Sequence, residues 1–225
     1  MNYSPYSFSR ISAHVQCPRK FKYRYIDNVK PESTDLTPLL KGSTLHSMIE
    51  HYPNESPNVL VSKYKSVFDE FSKTDLFKKY LFRNSIREYD FGLTEEFVPC
   101  SYYDKDILFR GSVDFICSID NELYLVDWKS GSYKEKSYQS YEQLSFYAIY
   151  FFRKYTNITK INISYVYIEH NIENCITIDR SELQKLESNL LDLINKIESD
   201  STFNKSNSKL CSYCQFENHC MNDSL

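Results

Sequence analysis

The sequence lacks the surplus of positive charge that is typical of proteins that coat nucleic acids. Its 225 residues include 27 Lys and Arg against 30 Asp and Glu, which gives a formal net charge of −3. This balance excludes nonspecific electrostatic coating, so any contact with a polyanion must come from a local basic patch. With 41% hydrophobic and 25% charged residues, the composition is typical of a globular protein.

Long apolar segments and a phosphate-binding loop are also missing. The N-terminus, MNYSPYSFSR, has no basic-then-apolar organisation, so we expect no signal peptide. The longest apolar run, Phe146 to Phe152, is too short to cross a bilayer. Since the motif G-x-x-x-x-G-K-[ST] does not occur, we expect no nucleotide-driven motor within the chain. These absences predict a soluble, cytoplasmic protein without a membrane partner.

The order of predicted elements indicates an α/β fold. Ser7 or Ser9 can cap a short helix that Pro18 should end, and Pro18 is also suited to begin the next helix. Further helices are predicted at 39–50, 59–71, 76–88, 136–155 and 181–198. Strands are predicted at 93–99, 106–118, 122–130, 160–169 and 174–178. We therefore expect one domain over residues 1–225, with a helical part at about 1–90 and a core at about 91–200.

The segment from Gly111 to Lys129 predicts a β-hairpin with two facing carboxylates. Asp120-Asn121 stands between two strand-like runs and fits a two-residue turn, so the numbers of facing residues should add to 241 as those two do. Asp114 then lies opposite Asp127, roughly 5 Å away at Cβ, and Lys129 points to the same face. The opposite, buried face would consist of Val113, Phe115, Val126 and Trp128.

Two neighbouring carboxylates in an apolar sheet do not both ionise without compensation. A hard cation such as Mg²⁺ or Mn²⁺ would provide it, because it prefers several oxygen ligands. A nearby ammonium could then stabilise charge on a phosphate. The alternative is an exposed acidic pair at a sheet edge with Lys129 as its salt-bridge partner, and spacing alone does not choose between the two.

Residues on the predicted helices add to this pattern. His46 lies one turn after Gly42 and could be a further metal ligand. Gln143 and Tyr147 are four residues apart and share one helix face. Each of these features alone is also compatible with ordinary packing.

Taken in order, four motifs resemble the RecB-type branch of the PD-(D/E)XK nuclease superfamily. The motifs are Gly42-x3-His46, Gly111-x2-Asp114, Asp127-Trp128-Lys129 and Gln143-x3-Tyr147. The resemblance implies a restriction-endonuclease-like fold, in which helices flank a mixed central sheet. It also implies that the chain is a metal-dependent nuclease.

The same resemblance implies a role for each matching residue. The metal, Mg²⁺ or Mn²⁺, would be held by His46, Asp114, Asp127 and the main-chain carbonyl of Trp128. Lys129 would match the catalytic lysine. Gln143 and Tyr147 would orient that lysine or contact DNA. Glu95 or Glu96 would match a further acidic position on the preceding strand, and the sequence does not choose between them.

Seven cysteines, an odd number, predict metal binding or burial before disulfides. Cys211-x2-Cys214-x5-Cys220 places three of them within ten residues, which indicates a metal site that needs a fourth thiolate. Cys17 stands at a predicted helix break beside Pro18. The other cysteines lie in strand-like apolar runs and are expected to be inert core thiols: Cys100, Cys117 and Cys175.

The phrase Gln16-Cys17-Pro18-x2-Phe21-x3-Tyr25, joined to the distal cysteines, is similar to the iron–sulfur clasp of AddB-type nuclease domains and CRISPR-associated exonucleases. The resemblance implies a [4Fe–4S] cluster on Cys17, Cys211, Cys214 and Cys220. Residue 17 and residues 209–221 would then join the N-terminal helical segment to the C-terminal tail. Zinc, with His219 replacing one cysteine, and four unrelated thiols are the alternatives.

The function implied by these resemblances is phosphodiester hydrolysis, with an exonuclease acting on single-stranded or end-processed DNA as the leading form. The partners implied are DNA and proteins of recombination, repair or CRISPR adaptation, in a bacterial, archaeal or virus-infected cell. Basic residues could follow the phosphate backbone or simply form a solvated face: Arg19, Lys20, Lys22, Arg24, Lys134 and Lys136. Rival hypotheses are a catalytically silent iron–sulfur scaffold that binds DNA, and an RNA-directed, site-specific or structure-specific endonuclease.

Overall fold

Six strands form one mixed sheet in the order β2-β1-β3-β4-β5-β6. The computed structural model describes residues 3–32, 35–81, 84–120 and 122–223, without the side chain of residue 138. The strands are β1 Ser85–Thr94, β2 Pro99–Cys100, β3 Ile107–Ile119, β4 Glu122–Lys129, β5 Lys160–Tyr167 and β6 Ile172–Asp179. Strands β4 and β5 run parallel and the other neighbours antiparallel. The expected mixed central sheet is confirmed.

The described residues also form eight helices, of which those in the middle of the chain pack against the sheet, as the fold class predicts. They are α1 Phe8–Gln16, α2 Pro18–Tyr25, α3 Thr37–His51, α4 Val61–Ser72, α5 Asp75–Leu81, α6 Glu142–Lys154, α7 Leu183–Ser199 and α8 Glu217–Asn222. Ser7 caps α1 by accepting a hydrogen bond from the amide of Arg10, and Pro18 opens α2. Helix α6 lies in the connection between the parallel strands β4 and β5, which cannot be joined by a tight turn. None of the described helices has the length and apolar character needed to cross a membrane.

The central hairpin has the register that its turn predicts. Pairs run from Phe115 with Val126 to Ile119 with Glu122, and every pair adds to 241. Asp120 has a φ of 52°, as a tight primed turn requires, while Asn121 lies outside the described residues. The expected apolar set is buried: Val113, Phe115, Val126 and Trp128.

The predicted helix over 76–88 is wrong in its second half. Helix α5 ends at Leu81 and β1 begins at Ser85, with residues 82 and 83 outside the description. Arg87, Tyr89 and Phe91 pair with partners on β3. The sequence pattern of this segment is ambiguous between helix and strand, and the pairing with β3 makes it a strand. The helical part therefore ends before residue 90. Helix α6 is also shorter than expected, because residues 136–138 form a separate 3₁₀ turn.

The chain divides into two compact units, which we describe separately. One comprises residues 1–35 and 188–225, and the other comprises residues 36–187. In the second unit, helices α3, α4 and α5 bury apolar side chains against Phe115, Val126 and Trp128 of the sheet. In the first unit, the rings of Phe21 and Phe203 stack at 6.1 Å between centroids. A single domain over residues 1–225 stays a prediction.

Candidate active site

The carboxylates of Asp114 and Asp127 lie at the point where the β3–β4 ladder ends. They follow the last paired residues, Phe115 and Val126, and Asp127 is only 5% exposed. The amide of Trp128 donates to Asp114 Oδ2 at 2.9 Å. Asp127 Oδ2 lies 2.6 Å from Lys129 Nζ, but this buried oxygen accepts no hydrogen bond of acceptable geometry. Buried acceptors are normally hydrogen-bonded, whereas this oxygen has only the ion pair with Lys129 in the described residues.

The pKa of Asp114 is raised by burial and by the neighbouring carboxylate of Asp127. Burial, followed by the charge of Asp127, raises the pKa of Asp114 to about 7, although His46 and the amide of Trp128 act in the opposite direction. One proton or one cation must therefore compensate the pair near neutral pH. That the two acids share one metal site stays a prediction.

His46 projects from α3 to the same point. Its Nε2 lies 2.6 Å from the carbonyl oxygen of Trp128, and its Nδ1 lies 3.4 Å from Asp114 Oδ2. Ligand atoms of His46, Glu88 and Asp114 all lie within 4.8 Å of one another, and no other group of three such residues occurs in the described ranges. Imidazole, carboxylate and carbonyl groups are suitable ligands for a divalent cation.

Glu88 on β1 is the site residue that sequence reasoning missed. It has a φ of 49° and stands between the pairs formed by Arg87 and Tyr89, which places it beside Asp114 on the neighbouring strand. Desolvation raises the pKa of Glu88, although the side chain as a whole is exposed. The signal that could have found it is the alternation of polar and apolar residues in Glu88-Tyr89-Asp90-Phe91, because a period of two indicates a strand.

The two acids expected on this strand lie elsewhere. Glu95 and Glu96 follow the end of β1 in an exposed turn, where Glu96 accepts a hydrogen bond from Thr94. Neither belongs to the group formed by His46 and Glu88 with Asp114. The expectation of Glu95 or Glu96 is therefore corrected to Glu88.

Lys129 lies next to the carboxylate pair. Its ammonium nitrogen is 2.6 Å from Asp127 Oδ2 and 4.9 Å from the centre of the Tyr165 ring. Residues 127 and 129 share one face of β4 because side chains alternate along a strand. The ammonium is thus held by a carboxylate and an aromatic face beside the candidate metal position.

Gln143 and Tyr147 lie on α6, and Gln143 Nε2 is 3.4 Å from the Tyr147 hydroxyl. Burial raises the pKa of Tyr147 to about 12, and the charges of Asp127 and Asp114 contribute to that rise. The Tyr147 hydroxyl therefore lies within electrostatic reach of the carboxylate pair. A role of the two residues at the site stays a prediction.

The two motif glycines allow close contacts around the site. A Cβ on Gly111 would lie 2.6 Å from Cε1 of Tyr147, so the ring packs directly on the bare backbone of β3. A Cβ on Gly42 would lie 3.1 Å from Ser130 Oγ, just after the end of β4. Small residues at these positions bring α6 and α3 close to the strands that carry the carboxylates.

The basic residues proposed for DNA contact differ in their surroundings. Arg19 is only 4% exposed, donates to the carbonyl of Phe203 at 2.9 Å and pairs with Asp223 at 2.9 Å. It is therefore a packing residue, and its assignment to DNA contact is wrong. Lys22 pairs with Asp27 at 2.7 Å, and Lys20 donates to Gln16. The remaining three are exposed: Arg24, Lys134 and Lys136.

Four cysteines of the first unit surround one cavity of about 350 Å³: Cys17, Cys211, Cys214 and Cys220. All four thiols are free. Within the part of the chain that the structure describes, they do not form a group with every ligand atom within 4.8 Å of the others. Of the cysteines expected in the core, Cys117 is buried, whereas Cys100 and Cys175 are half-buried and burial raises the pKa of both.

A mixed sheet whose central hairpin presents two carboxylates and a lysine, with a histidine and a third acid beside them, defines a nuclease-type active site. The model of the PD-(D/E)XK nuclease superfamily matches residues 5–221, and the chain belongs to this superfamily. No curated protein matches the sequence.

Solved structures support the fold. A crystal structure from Eubacterium rectale, of a protein provisionally named an exonuclease, has a TM-score of 0.61 at 15% identity. The match covers 100% of this chain and 90% of that chain. The crystal structure of SSO0001 has 16% identity, covers 85% of this chain and 99% of that chain, and has a TM-score of 0.36, which is too low to support an argument.

Proposed function

We propose that this protein is a Mg²⁺- or Mn²⁺-dependent deoxyribonuclease. The observation that supports this most directly is the convergence of three carboxylates, one imidazole and one ammonium from four different elements. His46 comes from α3, Glu88 from β1, Asp114 from β3, and Asp127 with Lys129 from β4. An ordinary surface salt bridge would not need a buried acid pair with an unsatisfied oxygen.

The donor set suits a hard divalent cation. Carboxylates of Asp114, Asp127 and Glu88, the imidazole of His46 and the carbonyl of Trp128 would hold the ion. When bound, such an ion polarises a phosphate and lowers the pKa of a coordinated water.

The remaining residues position and stabilise charge. Lys129, fixed by Asp127 and the face of Tyr165, places a permanent positive charge where negative charge develops on the phosphate. The Gln143 amide and the Tyr147 hydroxyl, 3.4 Å apart, provide donors at the adjoining helix face. Because the raised pKa of Tyr147 keeps its phenol neutral, it donates a hydrogen bond and does not act as a base.

The proposed substrate is single-stranded DNA or DNA with processed ends, cleaved as by an exonuclease. The provisional name of the Eubacterium rectale protein supports this form. Partners in recombination, repair or CRISPR adaptation are proposed on the resemblance of the motifs alone. The exposed cations Arg24, Lys134 and Lys136 remain candidates for phosphate contact.

We also propose that the four cysteines around the cavity of the first unit hold a [4Fe–4S] cluster. All four line the same space, and a polynuclear cluster keeps its thiolates farther apart than a single zinc ion would. The amide of Ser208 donates to Cys211 Sγ at 3.4 Å, and hydrogen bonds to the sulfurs are among the contacts that tune an iron–sulfur centre.

A digestion series tests the nuclease function. Linear DNA blocked at the 5′ or the 3′ end, circular single strands, duplex DNA and RNA are incubated with Mg²⁺ or Mn²⁺. We expect cleavage of linear single-stranded DNA with a free end, and loss of that cleavage in Asp127→Ala. Cleavage of circular strands would indicate an endonuclease, and cleavage of no substrate would favour a silent scaffold.

Purification without oxygen tests the cluster. We expect a brown protein with iron and inorganic sulfide, and loss of colour in Cys214→Ala but not in Cys100→Ala, the matched control outside the cavity. A colourless protein that contains zinc would contradict the cluster.

A further inference from the structure

The loop between β2 and β3 carries two neighbouring tyrosines and faces an arginine. The rings of Tyr102 and Tyr103 lie 5.0 Å apart between centroids, at 73° to each other. The guanidinium carbon of Arg110 lies 4.6 Å from the centre of the Tyr102 ring. Tyr103 is 82% exposed, although burying a ring of this size against apolar neighbours would be favourable.

This loop is joined to the candidate active site by close backbone contacts. A Cβ on Gly92 would lie 2.7 Å from the carbonyl oxygen of Ser101, so the loop packs on bare backbone of β1. Gly92 pairs with Arg110, and the next pair contains Gly111, on which the Tyr147 ring packs. The phenol of Tyr102 also contributes to the raised pKa of Tyr147, so the two hydroxyls are in electrostatic reach.

The number of residues between Arg110 and Asp114 on β3 gives the distance from the arginine to the candidate active site. Arg110 precedes Asp114 by four residues, which is about 13 Å at the usual rise of a strand. One nucleotide of a stacked strand advances by about 3.4 Å. The tyrosine pair is therefore up to about four nucleotides from a phosphate at the metal position.

One cation in this region, Arg110, could meet a phosphate. Arg110 forms no ion pair with any carboxylate in the described parts of the chain, and it is held by an aromatic face instead. The same loop also carries the acids Asp104 and Asp106 and the base Lys105, so together with Arg110 its formal charge is zero, and the proposed surface depends on the position of the guanidinium and not on an excess of positive charge. The exposed ring of Tyr103 and the guanidinium thus form a joint surface for a base and a phosphate.

We propose that Tyr102, Tyr103 and Arg110 form a stacking platform for one unpaired nucleobase of the substrate strand, a few nucleotides from the scissile phosphate. The proposal rests on the nuclease function proposed above. A tyrosine ring stacks on any base with little sequence preference, but a base within a duplex cannot present its whole face. The platform therefore selects single strands or frayed ends over intact duplex.

A coupling experiment between one ring and one base tests the platform. Binding of a single-stranded oligonucleotide is measured in an Asp127→Ala background, and an abasic residue is then placed at each position in turn. Tyr103→Ala is expected to weaken binding of the intact strand roughly 5- to 150-fold, whereas Tyr103→Phe keeps it. At one position, the abasic residue should cause a similar loss, and the two losses should not multiply when combined.

The control is Tyr155→Ala, an exposed tyrosine about 18 Å along the α6 direction from Gln143, which should show no such coupling. Losses that multiply at every abasic position would overturn the platform. If wild-type protein cleaves DNA and coupling is absent, the platform fails and the nuclease function stands. If coupling is present and wild-type protein cleaves nothing, the platform stands and the nuclease function fails.

Discussion

The charged side chains of the candidate site lie close together, so few substitutions at these positions would keep the sum of their charges unchanged. Asp127 is buried and the half-buried Asp114 lies near it, while Lys129 Nζ lies 2.6 Å from Asp127 Oδ2. His46 contacts Asp114 at 3.4 Å and the Trp128 carbonyl at 2.6 Å. One ammonium cannot compensate two carboxylates, so the balance leaves room for a cation.

Replacing Lys129 should separate catalysis from metal binding. Lys129→Gln removes the positive charge beside the reacting phosphate, and we expect kcat to fall on the order of 100- to 1000-fold. Metal affinity should not fall, because removing a cation from the acid pair favours binding of another. Kinetics and metal titration measure the two effects, with Lys185→Gln, at an exposed position of α7, as the matched control. A loss of metal affinity in Lys129→Gln would contradict this role.

The pH dependence of stability follows from Asp114. Its pKa is raised to about 7 in the folded protein, while an unfolded carboxyl titrates near about 4. Between these values the folded state holds a proton that the unfolded chain has lost, so the free energy of unfolding decreases as pH rises from about 4 to about 7. A bound divalent ion offsets the repulsion of the ionised pair. We therefore expect Mn²⁺ to raise Tm more at about pH 8 than at about pH 6.

Thermal melts with and without Mn²⁺ check this expectation. In Asp114→Asn, the metal-induced change should be small at both pH values, because the titrating ligand is gone. Equal increases in Tm for wild-type protein at both pH values would show that Asp114 is already ionised without metal.

The residues that sequence reasoning placed correctly depend on local rules. The turn at Asp120 fixes the register of the pairs from Phe115–Val126 to Ile119–Glu122, and Asp114 and Asp127 are the next residues beyond the last of these pairs. Arg19 was misassigned because its partner Asp223 is distant in sequence, so no local pattern indicates its burial. Glu88 was missed because its segment was read as a helix.

Among the elements, α6 depends on a glycine in β3 for its approach to the site. The Tyr147 ring occupies the space that a side chain at Gly111 would need, with contacts of 2.6 and 2.8 Å. The ring also packs against Phe91, at 5.1 Å between centroids. Tyr147 thus keeps its position against β3, the strand that carries Asp114, only if residue 111 has no side chain.

Gly111→Ala should move Tyr147 away from the site. Overpacking of this kind costs about 1–3 kcal/mol in the free energy of unfolding, and kcat should fall while metal affinity is kept. Denaturant unfolding and kinetics measure these effects. Gly131→Ala is the control, since a Cβ there meets nothing within 4 Å. Wild-type kcat in Gly111→Ala would show that Tyr147 has no positioning role.

The boundary between α5 and β1 shows why element type was harder to predict than register. Near the end of α5, Lys79 and Tyr80 donate hydrogen bonds to Glu173 of β6, and Ser164 of β5 donates to the same carboxylate at 2.6 Å. These contacts join a helix to strands more than 80 residues later. A periodicity read from one segment cannot include partners so far along the chain.

The whole chain separates into two compact units, each with its own chemistry. The second unit contains the sheet and the candidate active site, with His46, Asp114 and Asp127 all between residues 36 and 187. The first unit is closed by the N-terminal helices and the C-terminal segment, which supply all four cysteines of the cavity. The proposed metal–thiolate bonds would stabilise this first unit, because they would offset the entropy cost of closing the long loop between its N-terminal and C-terminal cysteines.

The effect of losing one cysteine should therefore be concentrated in the first unit. In Cys214→Ala, we expect faster amide hydrogen exchange in α1, α2 and residues 203–222, because the cavity loses the bonds proposed to join these segments. Amides of β3 and β4 should stay protected, since their ladder and core lie within the other unit. Hydrogen exchange followed by mass spectrometry measures both regions in one sample, with Cys100→Ala as the control. Equal loss of protection in β3, β4 and α1 would mean that the chain unfolds as one cooperative domain, and unchanged protection in α1 and α2 would mean that Cys214 has no structural role.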